Sequence, residues 1–263
     1  VPTPRTVSIM GDLVRLERVG GRATITLDSP HNRNALSQQL VAELAECLDR
    51  SADARVVVLR HEGRAFCAGA DLKERKDDGA VDSRPMVSVM ERLMDLPCPT
   101  IAAVNGAVRA GGIGLMASCD LVVVDPSVSF ALTEVRIGVA AAIISVPILR
   151  RVPPGKIAAA MLTGEPFDAP YAREIGLISH VSDDVDATVD GLVSGVMAGA
   201  PGAVAHTKAL LRRVPGLDRD TAFDEMRELS ESLFLSSEGQ EGMAAFREKR
   251  APVWPESGES GRG

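Results

Sequence analysis

From Leu13 the chain alternates apolar and polar positions on both sides of Gly20-Gly21, reading LVRLERV and then RATITLD. A period of two around a glycine pair predicts a β-hairpin with one buried face, ended by Pro30. The period then changes. Leu40, Val41, Leu44 and Leu48 recur at helical spacing behind Ser37, whose hydroxyl suits an N-cap. The apolar strand VVVLR leads to RAFCAGADLKE, residues 64 to 74, a small-residue loop expected to enter a polar helix, with Phe66 and Cys67 in the core. PMVSVMERLMDL reads as an amphipathic helix with methionines toward the core, stopped by Pro97 and Pro99. IAAVNG is a strand turning at Asn105-Gly106, and Gly111-Gly112 open a short apolar helical segment ending near Cys119. LVVV and VSFAL are two more strands, and AAAIISVPILRRV is expected to be a buried helix with a kink or boundary at Pro147. PPGKIAAAMLTG carries proline in its first helical turn and glycine beyond its last. Pro170 to Gly176 repeats that pattern in a shorter helix, LISHV is a last small strand, and from Val185 the pattern is helical almost throughout.

These elements predict an α/β core over residues 13 to 184, with strand-strand-helix order recurring but no repeat of sequence. Residues 1 to 12, holding Pro2 and Pro4 without periodicity, are expected to be a loose arm. Residues 185 to 254 form an appended helical region, and 255 to 263 a disordered tail. KERKDDGAVDSRP is charged, contains glycine and ends at Pro85, the composition of a mobile surface segment.

Composition narrows the function. A net charge of −7 with 25% charged residues of both signs offers no basic groove for nucleic acid. Cys47, Cys67, Cys98 and Cys119 form no C-x-x-C pair and read as small apolar residues in a reducing compartment; the four histidines show no metal-ligand spacing, and His180 sits in a strand. The longest apolar run, Ile137 to Leu149, is too short for a membrane span and contains Pro147. A cytoplasmic protein without metal or redox cofactor is expected.

The chemistry concentrates between Asn105 and Gly138. A strand feeding glycines that open a helix leaves backbone N–H groups unpaired, where they attract negative charge. The loop after VVVLR has the same form, so two junctions can each offer one N–H to a single oxygen. Close backbone packing explains such glycines equally well. The stretch then delivers one carboxylate, Glu134, in an apolar setting that would raise its pKa; an ion pair with Arg136 is the competing reading.

The pieces HNRNALS, RAFCAGADLKE, NGAVRAGGIGLMASCD, SFALTEVRIG, LTGEPFDAPYAREIGLISHV and EGMAAFREKR resemble the crotonase, or enoyl-CoA hydratase/isomerase, superfamily in order and over nearly the whole chain. The resemblance implies a spiral of ββα units with a C-terminal helical region that packs trimers together, in a homotrimer or homohexamer. It implies an acyl-CoA substrate whose coenzyme A enters with the substrate, oxyanion donation by the Ala70 and Gly111 amides, and proton transfer by Glu134. It places Arg33, Ala68, Asp71 and Leu72 near the coenzyme A, and Lys249 near its 3′-phosphate from a neighbouring subunit. Asp71 reads alternatively as an N-cap, and Arg33 and Lys249 as surface residues. The segment at residues 75 to 84 is expected to become ordered over the acyl chain when ligand binds.

One position departs from the pattern. Ordinary hydratases carry a second glutamate three residues after the oxyanion glycine, and here that position is Gly114. Three outcomes follow: hydration through Glu134 alone, double-bond migration as in single-glutamate Δ3,Δ2-enoyl-CoA isomerases, or acyl-CoA binding without turnover. GGIGLMASCD followed by EVRIGVAAAIIS is similar to bacterial methylglutaconyl-CoA-type hydratases, which points to hydration of a branched or unusual acyl chain. Arg109 is a candidate for facing a substrate carboxylate, and a surface arginine is the alternative.

Overall fold

The computed structural model describes residues 6–74 and 82–254. The chain opens with strand β1 (Thr6–Met10), which pairs antiparallel with β2 (Val14–Val19). Residues 6 to 10 are therefore a sheet edge rather than part of a loose arm; a five-residue strand beside two prolines shows too little alternation to be read. β2 turns through Gly20-Gly21 into β3 (Arg22–Leu27) with Val19 opposite Arg22, and Gly20 takes φ +56, the left-handed conformation a two-residue hairpin loop requires. Helix α1 (Gln38–Asp49) follows, and the Ser37 hydroxyl accepts the Leu40 N–H at 3.2 Å as the sequence predicts.

Three strand-strand-helix units come next. They are β4 (Val56–His61), β5 (Ala65–Cys67) and α2 (Arg84–Asp95); β6 (Thr100–Val104), β7 (Ala107–Arg109) and α3 (Gly111–Ala117); then β8 (Leu121–Val124), β9 (Ser129–Ala131), a 3-10 turn (Glu134–Ile137) and α4 (Ala142–Leu149). In each unit the first strand joins a seven-stranded sheet and the second joins a small four-stranded one. α5 (Pro154–Thr163), β10 (Phe167–Asp168), α6 (Ala169–Glu174) and β11 (His180–Val181) close the core. α7 (Val185–Ala198), α8 (Pro201–Arg213), α9 (Arg219–Leu235) and α10 (Ser237–Glu248) complete the chain.

The large sheet runs β1-β2-β3-β4-β6-β8-β11 and is parallel from β3 onward; the small one runs β10-β9-β7-β5. Alternation along β4 sends Val57 and Leu59 into the main core with α1 and α2, while Val56 and Val58 meet Val185, Val189 and Val193 of α7 on the other face. α7 thus belongs to the core, although its helical periodicity groups it with the C-terminal region. α8 is tied down by Lys208, only 5% exposed, whose Nζ donates to the Leu93 and Cys98 carbonyls at 3.3 and 2.9 Å and lies 2.7 Å from Asp120. Asp120 also accepts the Thr100 N–H and hydroxyl, so the buried charge is fully bonded. Beyond it, α8, α9, α10 and Trp254 border an open apolar cavity of about 710 Å³.

The expectation of a buried helix in AAAIISVPILRRV is corrected. Ile144, Pro147 and Ile148 of α4 are buried, but Val146 stays 54% exposed and Ile143 and Leu149 are exposed as well. A helix apolar on every side shows no preferred face in its sequence, and here one side packs mainly on α3. The expectations for residues 75 to 81 and for the tail from 255 lie outside the described residues; Arg84 is already helical.

Candidate active site

The first junction begins where β5 ends at Cys67. The preceding loop holds it in place: the Ala68 N–H donates to the Arg33 carbonyl at 3.0 Å, the Leu36 N–H to Gly69 at 2.8 Å, and the Asp71 N–H to Leu36 at 3.4 Å. Gly69 adopts φ +89, reserved in practice for glycine. The Ala70 N–H, next along the chain, has no acceptor among the described residues, and Ala70 is exposed. No helix follows directly: Asp71 accepts the Lys73 N–H at 3.0 Å in a local turn instead. Asp71 is therefore neither a helix N-cap nor free, which corrects the expected polar helix; its short side chain bonds the backbone two residues on.

The second junction begins at β7. Ala110 donates its N–H to Ala131 at 3.0 Å and takes φ +47, ψ −120, a conformation in which its Cβ is strained. Gly111 is the first residue of α3, and its N–H likewise finds no acceptor among the described residues. The two junctions touch. A Cβ placed on Gly111 would stand 3.8 Å from the Ala70 nitrogen, and one on Gly69 would stand 3.4 Å from the Gly111 nitrogen. Two unpaired amides therefore sit on loops in contact, and a shared oxyanion site needs such closeness.

Glu134 is tied by the chain to the second junction through β9. Ala131, bonded to Ala110, is three residues before it, a span on the order of 10 Å at most. Glu134 opens the 3-10 turn, and its Oε2 is buried without a hydrogen-bond partner among the described residues. Burial raises its pKa above the ordinary carboxylate value, against a smaller opposing pull from its own backbone N–H. The competing ion pair does not form: Arg136 pairs with Glu165 and donates to the Thr163 carbonyl. Glu134 is thus a carboxyl with one oxygen buried and unpartnered, suited to exchanging a proton.

The remaining candidates separate. Gly114 lies one turn beyond Gly111 on α3, buried against Ile144 and Met90. Arg109 is spent within its own sheet, donating to the Ser129 carbonyl at 2.5 Å and hydroxyl at 2.8 Å, and burial lowers its pKa. Ala68 is half-buried in the first junction; Arg33 and Leu72 are exposed beside it. Lys249 ends α10, which packs on α9, and is exposed. Cys67, fully buried under the first junction, has its thiol pushed up to about 12 by burial and is no nucleophile at neutral pH. Among the described residues no three His, Cys, Asp or Glu side chains gather as a metal site, and no helix is long and apolar enough to cross a membrane.

Two supporting residues escape a reading of the sequence. Asn34, fully buried and at φ +53, accepts the Ser29 N–H at 2.7 Å and donates to the Glu62 and Ala65 carbonyls at 2.9 and 2.8 Å, fixing the loop that braces Ala68 and Gly69. His61 accepts the Asn105 N–H at 3.1 Å, holding the turn ahead of β7. Asn34 left one signal, a polar residue in HNRNALS able to adopt left-handed backbone; His61 left none.

A family profile described as enoyl-CoA hydratase/isomerase matches residues 17–257. A putative enoyl-CoA hydratase of Thermus thermophilus is 36% identical over 252 residues, covering 91% of this chain and 99% of that protein. The crystal structure of human enoyl-CoA hydratase domain-containing protein 3 superposes with a TM-score of 0.88 at 29% identity, covering 92% of this chain and all of that one (100%). A putative enoyl-CoA hydratase of Mycobacterium avium paratuberculosis is 46% identical with a TM-score of 0.68, over 89% of this chain and 94% of that one. With the spiral of strand-strand-helix units and the paired amides already in place, these matches establish that the chain belongs to the enoyl-CoA hydratase/isomerase family of the crotonase superfamily.

Proposed function

We propose that this chain adds water to a 2-enoyl-CoA thioester of branched or unusual acyl chain, with Glu134 as its catalytic carboxylate. The observation that carries this reading is the buried, unpartnered Glu134 oxygen near two unpartnered amides. In the reaction the ionised Glu134 takes a proton from water as the water oxygen bonds to C3. The electron pair of the double bond moves onto the thioester oxygen, where the Ala70 and Gly111 amides hold the enolate. The enolate then collapses and C2 takes the proton from Glu134, so that H and OH are added and the carboxylate is restored. Each amide is worth about 3 kcal/mol in the transition state. A raised pKa serves both steps, because one group must accept and then return the proton.

The likeness of residues 111 to 120 and 134 to 145 to methylglutaconyl-CoA-type hydratases supports the branched substrate. Homotrimer or homohexamer assembly, with Lys249 of one copy at the coenzyme A of another, belongs to the same reading. Gly114 supports a second one: a lone carboxylate can carry a proton between two carbons, giving double-bond migration without water.

The test is turnover of crotonyl-CoA, 3-methylglutaconyl-CoA and a 3-enoyl-CoA, with products followed by mass, in the natural protein and in Glu134→Gln. A gain of one water that falls at least about a hundredfold in the variant is expected. Migration without water would make the second reading correct, and binding without turnover in either protein would overturn both.

A further inference from the structure

The face of α3 one turn beyond Gly111 is closed. A Cβ placed on Gly114 would fall 2.3 Å from Ile144 Cγ2, 2.6 Å from Ile144 Cβ and 2.8 Å from Met90 Cε. Methionine can swing its terminal methyl away, but the Cβ of a β-branched isoleucine is fixed to its backbone. Ile144 is 5% exposed and Met90 3%, so both side chains are held in the interior. Gly111 and Gly114 are three residues apart on one helix and share a face. The missing side chain at 114 therefore leaves no vacancy; α4 occupies the volume.

We propose that Ile144, backed by Met90, is a specificity-determining residue that excludes any second acid from this wall. This wall of the site thereby carries no carboxylate, and the substrate carbons beside the oxyanion meet branched aliphatic surface. The inference rests on the proposed function for its chemical meaning, though the interlock itself is a packing claim. It also explains why the apolar run at 142 to 148 accompanies Gly114: Ile144 and Gly114 are complementary halves of one contact, and a change in either is tolerated only with a change in the other.

The test is a cycle of Gly114→Glu, Ile144→Ala and the two combined, read by melting temperature and by hydration of crotonyl-CoA. Gly114→Glu alone is expected to lower the melting midpoint by about 5 °C and to lose turnover, because the new side chain overlaps Ile144. The double variant should recover most of the loss and hydrate crotonyl-CoA about tenfold or more faster than the natural protein, the added carboxylate now having room to act. Gly114→Glu melting within 1 °C or so of the natural protein, or additive effects in the double variant, would overturn the interlock. A double variant that regains its melting temperature without gaining rate would also overturn the proposal, leaving the pair as packing alone. Failure of the proposed function shows separately, as a natural protein without turnover, and leaves the coupling in melting temperature intact.

Discussion

The two junctions that present the unpartnered Ala70 and Gly111 amides are built on the same plan and secured by different means. At the first, the main restraint comes from elsewhere in the chain: the loop centred on Asn34 grips Ala68, Gly69 and Asp71 through backbone bonds, and Gly69 supplies the left-handed turn without strain. At the second, Gly111 is aimed by its own helix and by the strained Ala110 just before it, with one bond to Ala131 and one turn held by His61. An amide can thus be positioned by a buried polar network or by local backbone geometry. The network is the costlier to break, because each member left alone is a buried unsatisfied group.

The largest effect should follow from removing the hub of the first junction. Asn34→Ala strands the Ser29 N–H and the Glu62 and Ala65 carbonyls and leaves an alanine at φ +53. A loss of about 4 kcal/mol is expected, a fall of roughly 10 °C in melting midpoint. Asn34→Asp keeps the acceptor for Ser29 and loses both donors, so it should fall between. A melting midpoint within about 2 °C of the natural protein in Asn34→Ala would mean that the first loop is held by something other than this network.

Much of this organisation was legible in the chain, and what was not has a physical reason. The hairpin at Gly20-Gly21, α1 behind Ser37 and α5 between its prolines and Gly164 follow from period and capping alone. β5, β7 and β10 are three, three and two residues long, too short for alternation to show, so the small sheet was invisible although it carries both junctions. The two glycine junctions and Glu134 stand out from pattern, while resemblance to a family is what assigns the amides to Ala70 and Gly111 and the proton transfer to Glu134. The ties that disarm Arg109 and Arg136, and the filling of the Gly114 face by Ile144, depend on residues 20 to 30 positions away. No local pattern encodes such distances.

Acid should weaken the second junction before the first. His61 accepts the Asn105 N–H through Nε2, which only the neutral ring can do, and burial lowers its pKa from 6.5. A depressed folded pKa contributes stability that is complete above the unfolded value near 6.5 and lost as the pH falls below it. His61→Phe should therefore cost stability at pH 7.5 yet flatten the melting profile between pH 6.5 and 5. Glu134 has the opposite sign. Its raised pKa means that ionisation destabilises the fold, so Glu134→Gln should melt higher than the natural protein at pH 7.5 while losing turnover. An unchanged acid slope in His61→Phe would assign that slope to other groups.

The smallest effect, and the sharpest contrast between the junctions, concerns Ala110. Its strain at φ +47, ψ −120 costs about 1 to 3 kcal/mol, and glycine relieves it while adding about 0.5 to 1 kcal/mol of unfolded-chain entropy. Ala110→Gly should therefore be stabilised, by roughly 1 kcal/mol or about 3 °C. The reciprocal change at the first junction should act the other way: in Gly69→Ala the new methyl would stand 2.9 Å from the Ala110 Cβ at a φ of +89. Combining the two removes the contact between methyls but not the strain at 69, so the pair should recover only part of the loss. If Ala110→Gly is destabilising instead, the methyl must be packed between the loops tightly enough to outweigh the strain. The second junction would then resemble the first, with its amide aimed by contact across the junctions rather than by the geometry of its own helix.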